Sequence, residues 1–235
     1  MSNRFENQIA LVTGGSRGIG RAAALQLASE GADVAISYGS RTGPAEETVA
    51  EIEKLGRKAV AVQCDVSQED QVDNMVAVTR EKLGPIDLLA HCGAISNTKD
   101  HADLTYECWK ETIDVNLNGA FLTVMAVKDE MLERKSGKIV LISSVAALRP
   151  RKMQIHYASS KAGLIAMTRC CAEAFAPDVR VNCIAPGLIE TEMAYVLTDE
   201  AIAGVKAATP MARLGQPEEL ANVICFLLSD QSSFM

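Results

Sequence analysis

The stretch VTGGSRGIG, residues 12–20, lies between the apolar run IALVT (9–13) and a segment in which Ile19, Ala23 and Leu27 recur on one helical face. Three glycines carry its meaning, Gly14, Gly18 and Gly20. Between a strand and a helix the backbone must turn sharply, approach a ligand closely and let helix pack on strand, and a side chain obstructs each task. The helix that follows points its free N–H groups at an anion. A tight turn of small residues is the bland alternative; the position after the first strand favours a dinucleotide site.

Outward from that turn, apolar strand-like runs alternate with helix-like segments. The runs are IALVT (9–13), DVAISY (33–38), KAVAVQC (58–64), IDLLAHC (86–92), KIVLISS (138–144) and VRVNCIA (179–185). Several are apolar on successive residues, as in strands covered on both faces of a parallel sheet. The alternation predicts an α/β fold with a doubly wound parallel sheet. There is no internal repeat, low-complexity tract or linker, so residues 1–235 read as one domain. Segments 117–132 and 158–175 have almost no polar face and must be covered on two sides. The sheet covers one; a second subunit is the simplest cover for the other, so a homo-oligomer, dimer or tetramer, is expected. GQPEELANVICFLL (215–228) starts a helix with Pro217, and Glu218 and Glu219 face its positive end.

The 235 residues are 48% hydrophobic, enough for a sizeable core. With 30 acids against 23 bases and a net charge of −7, the chain lacks the basic balance of a nucleic-acid binder. No apolar run is long enough to span a bilayer, and MSNRFENQ at the N-terminus lacks a signal-peptide core. Seven scattered cysteines, without a CxxC pair, read as a reducing cytoplasm with neither a disulfide framework nor a zinc site.

A second motif is HYASSKAG (156–163), which sets Tyr157 and Lys161 four apart on one helical face. Phenol is a poor acid near neutrality, with an ordinary pKa of ~10, and a neighbouring ammonium would lower it. Thr13, Gly14, Gly18 and Gly20 in TGxxxGxG spacing, together with Tyr157-x-x-x-Lys161, resemble the short-chain dehydrogenase/reductase family, and most closely its 3-oxoacyl-carrier-protein reductases. Further landmarks stand in order over nearly the whole chain: Asp65 in CDV, Asn116 in DVNLNGAF, Ser144 thirteen residues before Tyr157, and PGLIET at 186–191.

The resemblance implies a Rossmann-like fold and a catalytic set of Asn116, Ser144, Tyr157 and Lys161. Tyr157 would protonate a carbonyl oxygen as hydride arrives, and Ser144 would hydrogen-bond that oxygen. Lys161 would lower the tyrosine pKa and hold the nicotinamide ribose, and Asn116 would position a relay water. It implies cofactor contacts from Thr13, Gly14, Ser16, Arg17, Gly18, Ile19 and Gly20 in the turn. Others would come from Tyr38 and Arg41, from Asp65 and Val66, and from Cys92, Gly93 and Ala94. Tyr157, Lys161, Pro186, Gly187, Ile189 and Thr191 complete the set. No metal is implied. The Tyr–Lys spacing is tighter than in the related enoyl-reductase branch.

Two departures stand out. The family's usual Asn-Asn-Ala-Gly is replaced by His91-Cys92-Gly93-Ala94. His91 reads as a strand-end histidine in preference to a catalytic one. The family's seventh strand has no counterpart in the sequence, which predicts an open sheet edge and a less complete substrate pocket.

An acid at the end of the second strand would favour NAD, but Tyr38, Gly39, Ser40 and Arg41 stand there, with Arg17 in the turn. Two guanidinium groups and no acid favour NADP. Residues 188–213 are the expected lid. Arg149, Arg151 and Lys152, extended by Arg134, Lys135 and Lys138, form a basic patch suited to an anionic substrate or to an acidic carrier protein. FAPDVRV, with Pro177 and Asp178, lacks the basic residue with which such reductases usually dock their carrier. The resulting expectation is NADPH-dependent reduction of a 3-oxoacyl thioester in cytoplasmic fatty acid biosynthesis. The alternatives are an alcohol or sugar dehydrogenase of the same family and a non-catalytic dinucleotide-binding protein.

Overall fold

The computed structural model describes residues 3–149 and 152–235. Each apolar run becomes a strand: β1 (Ile9–Thr13), β2 (Asp33–Tyr38), β3 (Ala59–Gln63), β4 (Leu88–His91), β5 (Gly137–Ile142) and β6 (Val179–Ile184). They form one parallel sheet in the order β3-β2-β1-β4-β5-β6. All five residues of β1 are buried, which explains the lack of alternation in its sequence. Ala10 and Val12 pack on one face of the sheet and Leu11 on the other.

Three helices cover the first face: α1 (Gly18–Ser29), α2 (Thr42–Lys54) and, after the lid, the helix Pro217–Leu228. The second face is covered by α3 (Glu69–Lys82), by α5 (Gly119–Glu133) and by α6 (Ile155–Phe175). A shorter helix, α4 (Tyr106–Ile113), is capped by the Thr105 hydroxyl, which accepts from the Cys108 N–H. It runs through a π turn at Asp114–Asn118 into α5. The lid carries α7 (Asp199–Ala208), so Pro217–Leu228 is α8. Leu11, Leu89 and Leu141 are fully buried, each contributing roughly 1.5–3 kcal/mol by leaving water.

The strand order reverses between β1 and β4, whose register sets Thr13 opposite His91. Chains leaving these two strands diverge to opposite sides of the sheet, opening a crevice at their carboxyl ends. β6 pairs with β5 alone and stands at the sheet edge. The helices expected to be covered on two sides are covered on one: Phe121 of α5 is 47% exposed, and Ala162 and Ala166 of α6 are exposed. No helix among the described residues is long and apolar enough to cross a membrane.

Candidate active site

The crevice at the strand ends is a cavity of about 750 Å³, a size suited to a dinucleotide. It gathers Gly14, Ser16, Arg17, Gly18, Ile19 and Gly20 from the turn, Tyr38 and Arg41 from the end of β2, and Asp65 and Val66 from the end of β3. Cys92, Gly93 and Ala94 form its floor after β4, and Thr191 reaches it from the lid. Thr13 is buried behind the wall, where its hydroxyl accepts from the Gly93 N–H at 3.0 Å.

The turn is a cradle that only glycine permits. A Cβ at residue 20 would stand 2.3 Å from the Gly14 carbonyl oxygen. Gly18 has φ of +53° and would push a Cβ to 3.2 Å from the Thr191 methyl. The residues present therefore fit a dinucleotide: a bare backbone opens α1 for the phosphates, and Arg17 and Arg41 supply cationic donors at the ribose end. One oxygen of the Asp65 carboxylate accepts from the N–H and hydroxyl of Ser67, fixing that side chain at the rim.

The catalytic candidates lie beside this cavity, outside its lining, as do Pro186, Gly187 and Ile189. β5 delivers Ser143 and Ser144, and α6 delivers Tyr157, Ser160 and Lys161. Ser143 Oγ donates to the Lys161 carbonyl at 2.7 Å, fastening strand end to helix. Ser144 Oγ accepts from the Ala146 N–H at 3.1 Å and lies near enough to the Tyr157 hydroxyl to pull its pKa down against burial. Lys161 Nζ is buried and donates to the Ile142 carbonyl at 2.8 Å, lying 5.7 Å from the Tyr157 ring centre. Burial pulls its pKa down to about 8. It lies close enough to the Cys92 thiol on the cavity wall to lower it against burial, which holds that thiol at about 12.

Two site residues make contacts that bear on their expected roles. Burial of the phenol raises the Tyr157 pKa and the Ser144 hydroxyl opposes it. The Lys161 ammonium spends one hydrogen on the Ile142 carbonyl. Asn116 is a clamp before it is a water ligand. Its Nδ2 donates to the Ile95 carbonyl at 2.9 Å and to Ser160 Oγ at 3.2 Å, and its Oδ1 accepts from the Ile95 N–H at 2.8 Å. Both amide hydrogens are used, and a relay water has only the second lone pair of Oδ1. The π turn aims this side chain at the Ile95 loop.

His91 takes the strand-end reading. It is 2% exposed, its Nδ1 shares a 3.1 Å hydrogen bond with Thr13 Oγ1, and burial holds its pKa down at about 3.

The basic patch is smaller than the sequence suggests. Arg134 is paired with Asp87 and Lys138 with Asp230, both at the amino end of β5, about 20 Å along the strand from Ser144. Arg149 and Lys152 are exposed near the site, while Arg151 lies outside the described residues.

Sequence reasoning missed three groups. His156, fully buried, meets the Asn97 carbonyl at 2.7 Å and ties the cavity-lining loop to α6; its place beside Tyr157 was the available signal. The lid neck is closed by backbone bonds, Glu190 N–H to Gly215 O at 2.8 Å and Gly215 N–H to Leu188 O at 3.1 Å, which leave no side-chain pattern. Glu192 of the lid pairs with both Arg17 and Arg41, so the arginines are not free of acid as their local sequence implies.

A family model described as Enoyl-(Acyl carrier protein) reductase matches residues 14–235. The chain is 41% identical over 227 residues to a 3-oxoacyl-[acyl-carrier-protein] reductase of Synechocystis sp., spanning 96% of this chain and 91% of that protein. It is 38% identical over 235 residues to an L-rhamnose 1-dehydrogenase (NAD(P)(+)) of Sphingomonas sp., spanning 98% and 92%. A crystal structure of an actinorhodin polyketide ketoreductase variant with NADPH superposes with a TM-score of 0.93 at 28% identity, covering 100% of this chain and 95% of that one.

Proposed function

The chain belongs to the short-chain dehydrogenase/reductase family and is an oxidoreductase of alcohol and ketone groups, and from that premise we propose that it reduces a 3-oxoacyl thioester with NADPH. The observation that carries the substrate class is the rim between Ser144 and Tyr157. Leu148, Met153 and Ile155 are 66%, 46% and 45% exposed there, interleaved with Arg149 and Lys152. An apolar surface beside cations suits an acyl chain on a phosphorylated arm. The similarity to 3-oxoacyl-carrier-protein reductases points the same way.

The bound nicotinamide would supply the hydride. The protein's part is proton delivery and positioning. A phenol whose pKa is raised by burial stays protonated at neutral pH, which suits Tyr157 to giving its proton to the carbonyl oxygen as charge develops. Ser144, fixed by the Ala146 N–H and still able to donate, hydrogen-bonds the same oxygen. Lys161 keeps two ammonium hydrogens free of the Ile142 carbonyl, and these would meet the ribose hydroxyls. Arg17 and Arg41 favour a 2′-phosphate. The exposed Phe121, Ala162 and Ala166 support a homo-oligomer through α5 and α6.

A second reading, oxidation of a sugar hydroxyl, is favoured by the 38% identity to a rhamnose dehydrogenase. The test follows nicotinamide absorbance with a short 3-oxoacyl thioester and NADPH, and in parallel with L-rhamnose and NAD or NADP. Thioester-dependent NADPH consumption is expected; turnover of the sugar alone transfers the chain to the second reading.

A further inference from the structure

Arg17, Arg41 and Glu192 come from the glycine turn, the residue before α2 and the lid, yet they meet at one carboxylate oxygen. Arg17 Nη1 donates to Glu192 Oε2 at 2.9 Å, and Arg41 Nη1 donates to the same atom at 2.7 Å. All three residues line the cofactor cavity. The neighbouring Thr191 packs beside Gly18, so the lid is seated on the glycine turn at this point.

We propose that Glu192 is a specificity-determining latch: its carboxylate occupies the anion subsite of Arg17 and Arg41, and a cofactor 2′-phosphate must displace it to bind. The inference rests on the reading of the two arginines as a 2′-phosphate site and adds a competitor to it. The side chains are 53%, 56% and 58% exposed, so the two ion pairs are weak and exchangeable. A phosphate dianion offers the guanidinium groups more charge and more acceptor oxygens than one carboxylate does. Displacement also cuts the lid's ionic tie to the turn. The lid tip can then shift while its neck holds, because the Glu190 and Gly215 backbone bonds lie behind Glu192. The Tyr195 hydroxyl donates to Glu190 Oε1 at 2.6 Å, which ties the tip to its own neck and not to the glycine turn, and Val196 is 74% exposed. An acid supplied from the lid therefore performs, reversibly, the discrimination that an acid at the end of β2 would perform permanently.

The test uses the whole chain and adenine nucleotides without nicotinamide. Dissociation constants for adenosine 2′,5′-bisphosphate and for adenosine 5′-monophosphate are measured calorimetrically for wild type, Glu192→Gln, Arg17→Ala and Arg41→Ala. Removing the competitor should tighten the bisphosphate about three- to tenfold and leave the monophosphate within about twofold. Hydrogen exchange across residues 190–197 should rise in wild type on adding the bisphosphate, but not the monophosphate, to the level of ligand-free Glu192→Gln. If Glu192→Gln binds the bisphosphate no more tightly while either arginine variant weakens it, the latch is overturned and the 2′-phosphate site stands. If neither arginine variant lowers the preference for bisphosphate over monophosphate, both readings fall.

Discussion

Two walls flank the cofactor cavity and are built in opposite ways, the catalytic candidates standing beside its lining and the lid reaching over it. The sheet-end wall is interior material: Asn116, Ser143, His156 and Lys161 are at most 3% exposed, and each is held by at least one hydrogen bond to backbone. The lid wall is surface material, in which Met193, Tyr195, Val196 and Met211 are 43–74% exposed and the tie to the turn is a pair of half-exposed ion pairs. The contrast follows from what each wall must do. A group that gives a proton as charge develops has to be in place beforehand, which demands packing and satisfied hydrogen bonds. A wall that admits a ligand and tells one anion from none works through charge, which survives loose geometry and is tuned by solvent.

If the interior wall carries the chemistry, its loss is the largest effect in the molecule. Tyr157→Phe removes the proton donor and keeps the ring, so the single-turnover rate of NADPH oxidation should fall by about 10²–10⁴-fold. NADPH affinity, read by fluorescence titration, should stay within a few-fold. A residual rate within tenfold of wild type would put the proton elsewhere and end the contrast.

The interior also bears a pH-dependent cost. Burial holds the Lys161 ammonium at about 8 against an ordinary value of 10.5. Between those values the unfolded chain binds more protons at this site, so its share of stability rises with pH and is least near neutrality. Buried thiols act in the other direction, Cys64 and Cys92 being raised to about 11 and about 12 by burial, so total stability hides the lysine's part. Lys161→Met isolates it. From pH 7 to pH 10, urea unfolding should show wild type gaining on the variant by on the order of 2–3 kcal/mol. A constant difference would mean that the ammonium is solvated and the wall wetter than its burial implies.

What the sequence disclosed follows the same division. Strands buried on both faces write themselves as successive apolar residues, so β1 and β2 are legible to the residue, while β4 keeps only Leu88–His91 of IDLLAHC, because apolar character alone does not mark where sheet pairing stops. The glycine turn and the Tyr157–Lys161 spacing are local in the chain and read directly. The Asn116 clamp is not, because its partners Ile95 and Ser160 are 21 and 44 residues away. Glu192 is harder still: it reaches Arg41 across 151 residues and Arg17 across 175, and nothing near either arginine announces an acid. The Lys161 contact is hidden for a related reason, since spacing places a lysine on the same helix face but does not say that its ammonium is bonded to a strand carbonyl.

The smallest effect belongs to the far side of the lid. Arg213 forks onto Glu219 with both nitrogen–oxygen distances at 2.7 Å, and Glu219 also accepts from the Gln216 N–H at the start of α8. These bonds hold the Glu219 pKa down at about 2. What the pair contributes is lost only as pH falls through that value, so it should be invariant from pH 5 to pH 9. The geometry is the best an exposed pair can have, yet water screens it. Arg213→Ala should therefore move Tm by less than about 2 °C, while proteolytic nicking between residues 193 and 213 quickens severalfold, because the lid opens locally without unfolding the sheet. A fall of about 6 °C or more, or nicking that keeps pace with global unfolding, would show that lid and sheet melt as one unit; the two walls would then differ in exposure but not in stability, and the lid could not yield to a phosphate without disturbing the catalytic side.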